Sequence, residues 1–107
     1  QMCIRDRDKT NDKIYIEILE EVLPKLLKSV KPDFIFYLSG VDVLESDRLG
    51  RLGISIKGCE VRDQMVLKYC HDENIPVQCS MGGGYSKDIK LIIEAHANTY
   101  RVAQKIY

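Results

Sequence analysis

Phe34-Ile35-Phe36-Tyr37-Leu38 is a continuous apolar, aromatic-rich run with no polar alternation. Its length suits a strand, and the missing alternation suits a strand covered on both faces, as in parallel sheets flanked by helices. Upstream of it, Asn11 and Asp12 can cap a helix in which Tyr15, Ile18, Leu19, Val22, Leu26 and Val30 recur at helical spacing. Pro24 removes one backbone hydrogen bond from that helix and is expected to kink it, and Pro32 ends it. Downstream, Ser39 to Gly58 forms a connection with four glycines and three acidic residues, too long for a mere turn. Helical signals resume at Gly58, with Cys59, Val66, Tyr69 and Cys70 as a stripe, and stop at the polar cluster Asp72 to Asn74. Pro76 to Met81 reads as a second short strand, followed by Gly82-Gly83-Gly84-Tyr85. Ser86 can then cap a final helix whose buried face is Ile89, Ile92, Ile93, His96, Ala103 and Ile106.

Strands alternating with helices predict an α/β fold with a partial parallel sheet and flanking helices, wound right-handedly. In open sheets of this kind ligands bind outside the carboxyl ends of the strands. Both informative loops, 39–57 and 82–86, follow strands and are expected to converge on one site.

Composition narrows the partners. The 107 residues, 12.3 kDa, are 45% apolar and 30% charged, which allows a packed core and excludes disordered or collagen-like chains. Sixteen basic and sixteen acidic side chains cancel, so neither a nucleic-acid face nor a polybasic membrane patch is expected. The apolar runs are far shorter than a membrane span, and no secretory signal pattern is visible. Gln1 to Arg7, QMCIRDR, has no apolar periodicity, and its simplest back-translation contains ATGTGTATAAGAGACAG, which resembles a transposase sequencing adapter. Residues 1–7 are therefore expected to be non-native read-through, with the protein continuing upstream of residue 8. Residues 8–107 then carry 14 basic and 15 acidic side chains and three cysteines. Cys59, Cys70 and Cys79 have no C-x-x-C spacing, so they read as small buried hydrophobes in a reducing compartment rather than as a zinc knuckle or redox pair.

The first loop, SGVDVLESDRLGRLG, sets Asp42, Glu45 and Asp47 within six residues. Clustered carboxylates need compensation, either from a cation or from water and the neighbouring Arg48 and Arg51. In the second loop, three glycines let the backbone pass close to a ligand and take up positive φ, with Tyr85 at the rim. Amides at the following helix start can hold an anion, but the loop lacks both the P-loop lysine and G-x-G-x-x-G. An ordinary tight turn also satisfies it.

Together the loops are more specific than either alone. GVDVLESDRLGRLGIS after a buried strand and MGGGYSKD after the next resemble the C-terminal part of the zinc-dependent histone deacetylase family. The first helix, the RDQMVL stretch and the EAHANTYRVA tail look like its compact class IV and bacterial members, so the resemblance covers roughly residues 8–107. It implies the C-terminal portion of an arginase/deacetylase-like three-layer fold, and hydrolysis of the acetyl-lysine amide. By the same resemblance Asp47 of D-R-L-G is a Zn²⁺ ligand, and Tyr85 of G-G-G-Y donates a hydrogen bond to the substrate carbonyl. Gly83 and Gly84 would line the floor beside the acyl group, Ile54 would lie near the wall of the acyl-lysine tunnel, and Asp42 would organise the loop. Zinc supplies an activated water and a polarised carbonyl, and a phenol opposite it stabilises the developing oxyanion.

The family's histidine pair and D-x-H ligands lie upstream of the region present. His71, in a polar helix end, reads as a surface residue, and His96, on an apolar helix face, as a hydrogen-bonded, partly buried one. The segment alone is therefore expected to be inactive, to bind zinc poorly and to need the missing upstream part of its own domain, without which apolar faces stay uncovered. Partners implied are an acetylated lysine of a protein or an acetylated small amine, with cytoplasmic localisation, or nuclear in a eukaryote. An acetylpolyamine amidohydrolase of the same family, and a noncatalytic α/β binding module using the GGGY turn for a nucleotide or anion, are the alternatives.

Overall fold

A computed structural model describes residues 11–44, 53–84 and 86–107. Within them the order is α1 (Asp12–Val30), β1 (Ile35–Gly40), α2 (Ile56–Asp72), β2 (Val77–Gly82) and α3 (Ile89–Ile106). The two strands pair in parallel from Ile35 beside Val77 to Gly40 beside Gly82. The fold of the described residues is α/β, with three helices and a two-stranded parallel sheet, as the sequence predicts. The expected read-through segment, residues 1–7, lies outside the described residues.

Local chemistry sets the element ends. The Asn11 side chain accepts from the Ile14 N–H and caps α1, which runs through Pro24. Lys31 ends it in the left-handed conformation (φ 50°), its N–H bonded to the Leu27 carbonyl, and Pro32 blocks continuation. At the end of α2, Asn74 takes the left-handed position (φ 56°) and the Ile75 N–H returns to the Cys70 carbonyl, which satisfies an otherwise orphaned acceptor.

Two starts differ from the sequence reading. The second helix begins at Ile56, because the Ser55 hydroxyl accepts from the Gly58 N–H at 2.9 Å. The last helix is capped by Asp88, which accepts from the Lys90 N–H, and not by Ser86. Both are ordinary N-cap chemistry, in which a short polar side chain satisfies an N–H of the first turn.

Asp12 ties α1 to the start of α2. Its carboxylate accepts the Ser55 N–H at 2.8 Å and also the Ser55 hydroxyl. Gly58 leaves room for this: a Cβ there would collide with the Asp12 carboxylate and lie 2.9 Å from the Ile54 side chain. Gly58→Ala gains helix propensity, yet it drives a methyl group into a carboxylate pinned by two hydrogen bonds. We expect a net loss of about 1–3 kcal/mol, read from the urea midpoint. An unchanged midpoint would show that the clasp yields freely.

The core is formed by Val41, Leu44, Ile54, Cys59 and Ala95, with Tyr15, Val43, Ile56 and Ile92 packed against it. An isolated parallel bridge joins Leu44 to Ile54, so the long connection begins and returns as paired backbone. The expected apolar stripes of α1 and α3 are only partly buried. No α1 residue is fully buried, Leu26 and Val30 are exposed, and in α3 the buried positions are Ala95, Thr99 and Val102, whereas Ile89 and Ile93 face solvent. On the sheet, Tyr37 and Ser39 face the helices and the alternate residues Phe36 (77% exposed) and Leu38 (68%) face outward. Parallel strands normally have both faces covered, and here the described helices cover one.

Candidate functional site

The parallel register brings the carboxyl ends of both strands together. Gly40 pairs with Gly82, and the Val41 N–H donates to the Gly82 carbonyl at 3.0 Å, so the two loops leave the sheet side by side. Gly83 and Gly84 follow with φ of 68° and 113°. A Cβ on Gly83 would meet the Asp42 side chain at 3.0 Å, and one on Gly84 would meet Ile92 at 2.9 Å and Val41 at 3.2 Å. These glycines answer two demands at once: left-handed backbone and a close approach to the first loop. Asp42 therefore abuts the glycine turn. A hollow of about 260 Å³ adjoins the junction, bounded by Tyr15, Tyr37, Gly40, Asp42 and Arg62.

Beneath the junction lies a buried polar cluster. Asp63 is fully buried and Arg62 nearly so. Asp63 accepts from Arg62 Nε at 3.1 Å, Arg62 Nη2 at 3.0 Å, the Thr99 hydroxyl at 2.6 Å and the Tyr37 hydroxyl. Arg62 Nη1 donates to the Gly40 carbonyl at 2.7 Å, and its guanidinium lies 5.8 Å from the centre of the Tyr37 ring. Burial alone would lower the Arg62 pKa, but the neighbouring charge, chiefly the Asp63 carboxylate in contact with it, more than offsets this and holds it above its ordinary value. Burial also raises the Tyr37 phenol, so it stays a donor.

Burial pushes the Cys59 thiol from 9.0 up to about 11. A pKa raised in the folded state means that the protonated form is favoured there, so its contribution to stability is complete below pH 9 and is lost as pH rises toward about 11. The urea midpoint is expected to fall through that window, and Cys59→Ala to flatten the fall. An equally steep fall in the variant would assign it to other groups. Cys59 and Cys70 are buried, in keeping with small core residues, and Cys79 is half-buried.

Of the expected site residues, Gly83 and Gly84 sit at the strand-end junction, and Ile54, expected near a tunnel wall, is fully buried in the core. Asp47 and Tyr85 lie outside the described residues. Among the described residues no group of three or more histidines, cysteines or carboxylates is arranged to hold a metal ion, so they do not by themselves fit a zinc site. His71 is half exposed and meets the Tyr107 ring edge-on. His96 is partly buried as expected, but its Nδ1 is buried without a hydrogen-bond partner among the described residues, contrary to the expected hydrogen bond.

The Arg62–Asp63 cluster was missed in the sequence. A signal existed: positions 59, 62, 63, 66, 67 and 70 form one helical stripe, and four of them are apolar. Charged residues inside such a stripe are ordinarily assigned to its solvent edge.

The histone deacetylase domain profile matches residues 2–100. An uncharacterized protein of Picosynechococcus sp. is 40% identical over 97 residues, 91% of this chain and 32% of that protein. Histone deacetylase 2 of Arabidopsis thaliana is 34% identical over 74% of this chain and 20% of its own length. Histone deacetylase clr6 of Schizosaccharomyces pombe is 30% identical over 75% of this chain and 19% of its own length. An α/β chain with paired loops at the strand ends and this profile belongs to the histone deacetylase domain family, and thus to a family of hydrolases. It spans about a third or less of the length of these curated relatives.

Proposed function

We propose that the chain is the C-terminal part of a zinc-dependent lysine deacetylase. In this reading Asp47 is one metal ligand, Tyr85 donates to the substrate carbonyl, and Gly83 and Gly84 form the acyl floor. Ile54, buried in the core, would lie near the wall of the acyl-lysine tunnel. The observation that carries the proposal is the contact of Asp42 with Gly83 in a histone deacetylase domain, because it joins the loop leading to Asp47 to the turn leading to Tyr85. The remaining ligands and the proton-transfer groups would come from upstream, which leaves the segment inactive alone. The free thiols suit a cytoplasmic protein.

The test is hydrolysis of an acetyl-lysine peptide and of an acetylated polyamine by the whole gene product, with and without a chelator, beside residues 8–107 alone. Chelator-sensitive hydrolysis by the whole protein and none by the segment is expected. Hydrolysis by the segment would overturn its dependence on the upstream part. Anion binding without hydrolysis in the whole protein would favour the noncatalytic module.

A further inference from the structure

We infer that Arg62 and Asp63 are a positioning pair that fixes the carboxyl end of β1 against the glycine turn. The catalytic consequence of this inference rests on the deacetylase reading; the geometric part does not.

Asp63 gathers hydrogen bonds from three elements: Tyr37 on β1, Arg62 on α2 and Thr99 on α3. It holds Arg62 through Nε and Nη2, which leaves Nη1 aimed at the Gly40 carbonyl. That carbonyl is at the last residue of β1, immediately before Val41 bonds Gly82 and Asp42 meets Gly83. The planar guanidinium fork converts a fixed Asp63 into a fixed direction at Gly40, which a flexible lysine ammonium cannot do with three bonds at once. Apolar side chains of similar volume often match or exceed a buried ion pair in stability, so stability alone is a weak reason for one here. Directional control of the strand end explains why both charges sit at this place. Thr99 marks the boundary of the role, since its hydroxyl bonds Asp63 Oδ2, whereas Arg62 is held by Oδ1.

The experiment uses the whole gene product and compares wild type with Arg62→Lys and Thr99→Val. Three quantities are read: the Tm, hydrogen exchange at the Val41 amide, and kcat and KM for an acetyl-lysine peptide. Arg62→Lys is expected to speed Val41 exchange and lower kcat about 10–100-fold, with KM within about threefold, as for a misplacement on the ångström scale. Thr99→Val is expected to lower the Tm while leaving Val41 exchange and kcat near wild type. If Arg62→Lys does not fold, the double variant Arg62→Gln, Asp63→Asn, which buries no charge, replaces it with the same expectations. Variants that lower the Tm but leave Val41 exchange and kcat unchanged overturn the inference and reduce the pair to a stabilising contact. Wild-type protein with no amide-hydrolysing activity sinks the deacetylase reading instead, and the Val41 exchange result then decides the positioning pair by itself.

Discussion

On the proposed deacetylase reading, Tyr85→Phe in the whole protein should lower turnover about 10²–10³-fold, the usual cost of removing one oxyanion-stabilising donor. Phenylalanine keeps the aromatic ring and deletes only the hydroxyl. Metal content and fold should therefore be unchanged, and the loss should fall on kcat with little change in KM, because the donor acts where negative charge develops. Tyr85 follows Gly84 in the sequence, and Gly84 itself has a positive φ of 113° and no space for a side chain. Steady-state kinetics beside zinc analysis checks the expectation. Undiminished turnover would remove Tyr85 from the chemistry, and lost metal would recast it as a structural residue.

Asp63→Ala should cost about 3–5 kcal/mol, the range for breaking a buried ion pair by deleting one partner. The variant would leave the Arg62 cation buried without its counter-charge, and the Tyr37 and Thr99 hydroxyls without their acceptor. The size of the effect lies in what is stranded, since buried pairs as a class contribute little net stability over apolar replacements. Urea denaturation of the whole protein measures it. A loss below about 1 kcal/mol, the range of exposed pairs, would mean that water reaches Arg62 on relaxation and that the cluster is less sealed than its burial implies.

Much of the architecture was legible because it depends on local pattern. The unalternating run at residues 34–38, the prolines at 32 and 76 and the glycines at 82–84 each restrict the backbone wherever the chain goes, and the structure has strands and a turn at those places. The caps were less legible. Ser86 and Asp88 both have cap-competent side chains, and in the structure it is Asp88 that accepts the Lys90 N–H. The periodic stripe of α3 runs past its buried face for a related reason: Ile89 and Ile93 have the right periodicity, but their neighbours among the described residues leave them exposed.

What the sequence by itself determined is the element order, the parallel sense of the sheet, the need for glycine at 83 and 84, and the family, because backbone sterics and motif spacing are properties of short stretches. What only the tertiary structure decided is that Asp42 abuts Gly83, and that Arg62 and Asp63, which composition would send to the surface, are sealed beneath that contact. Burial of a charge depends on donors and acceptors arriving from Tyr37, Gly40 and Thr99, up to 36 residues away from Asp63 along the chain. No short stretch contains that information.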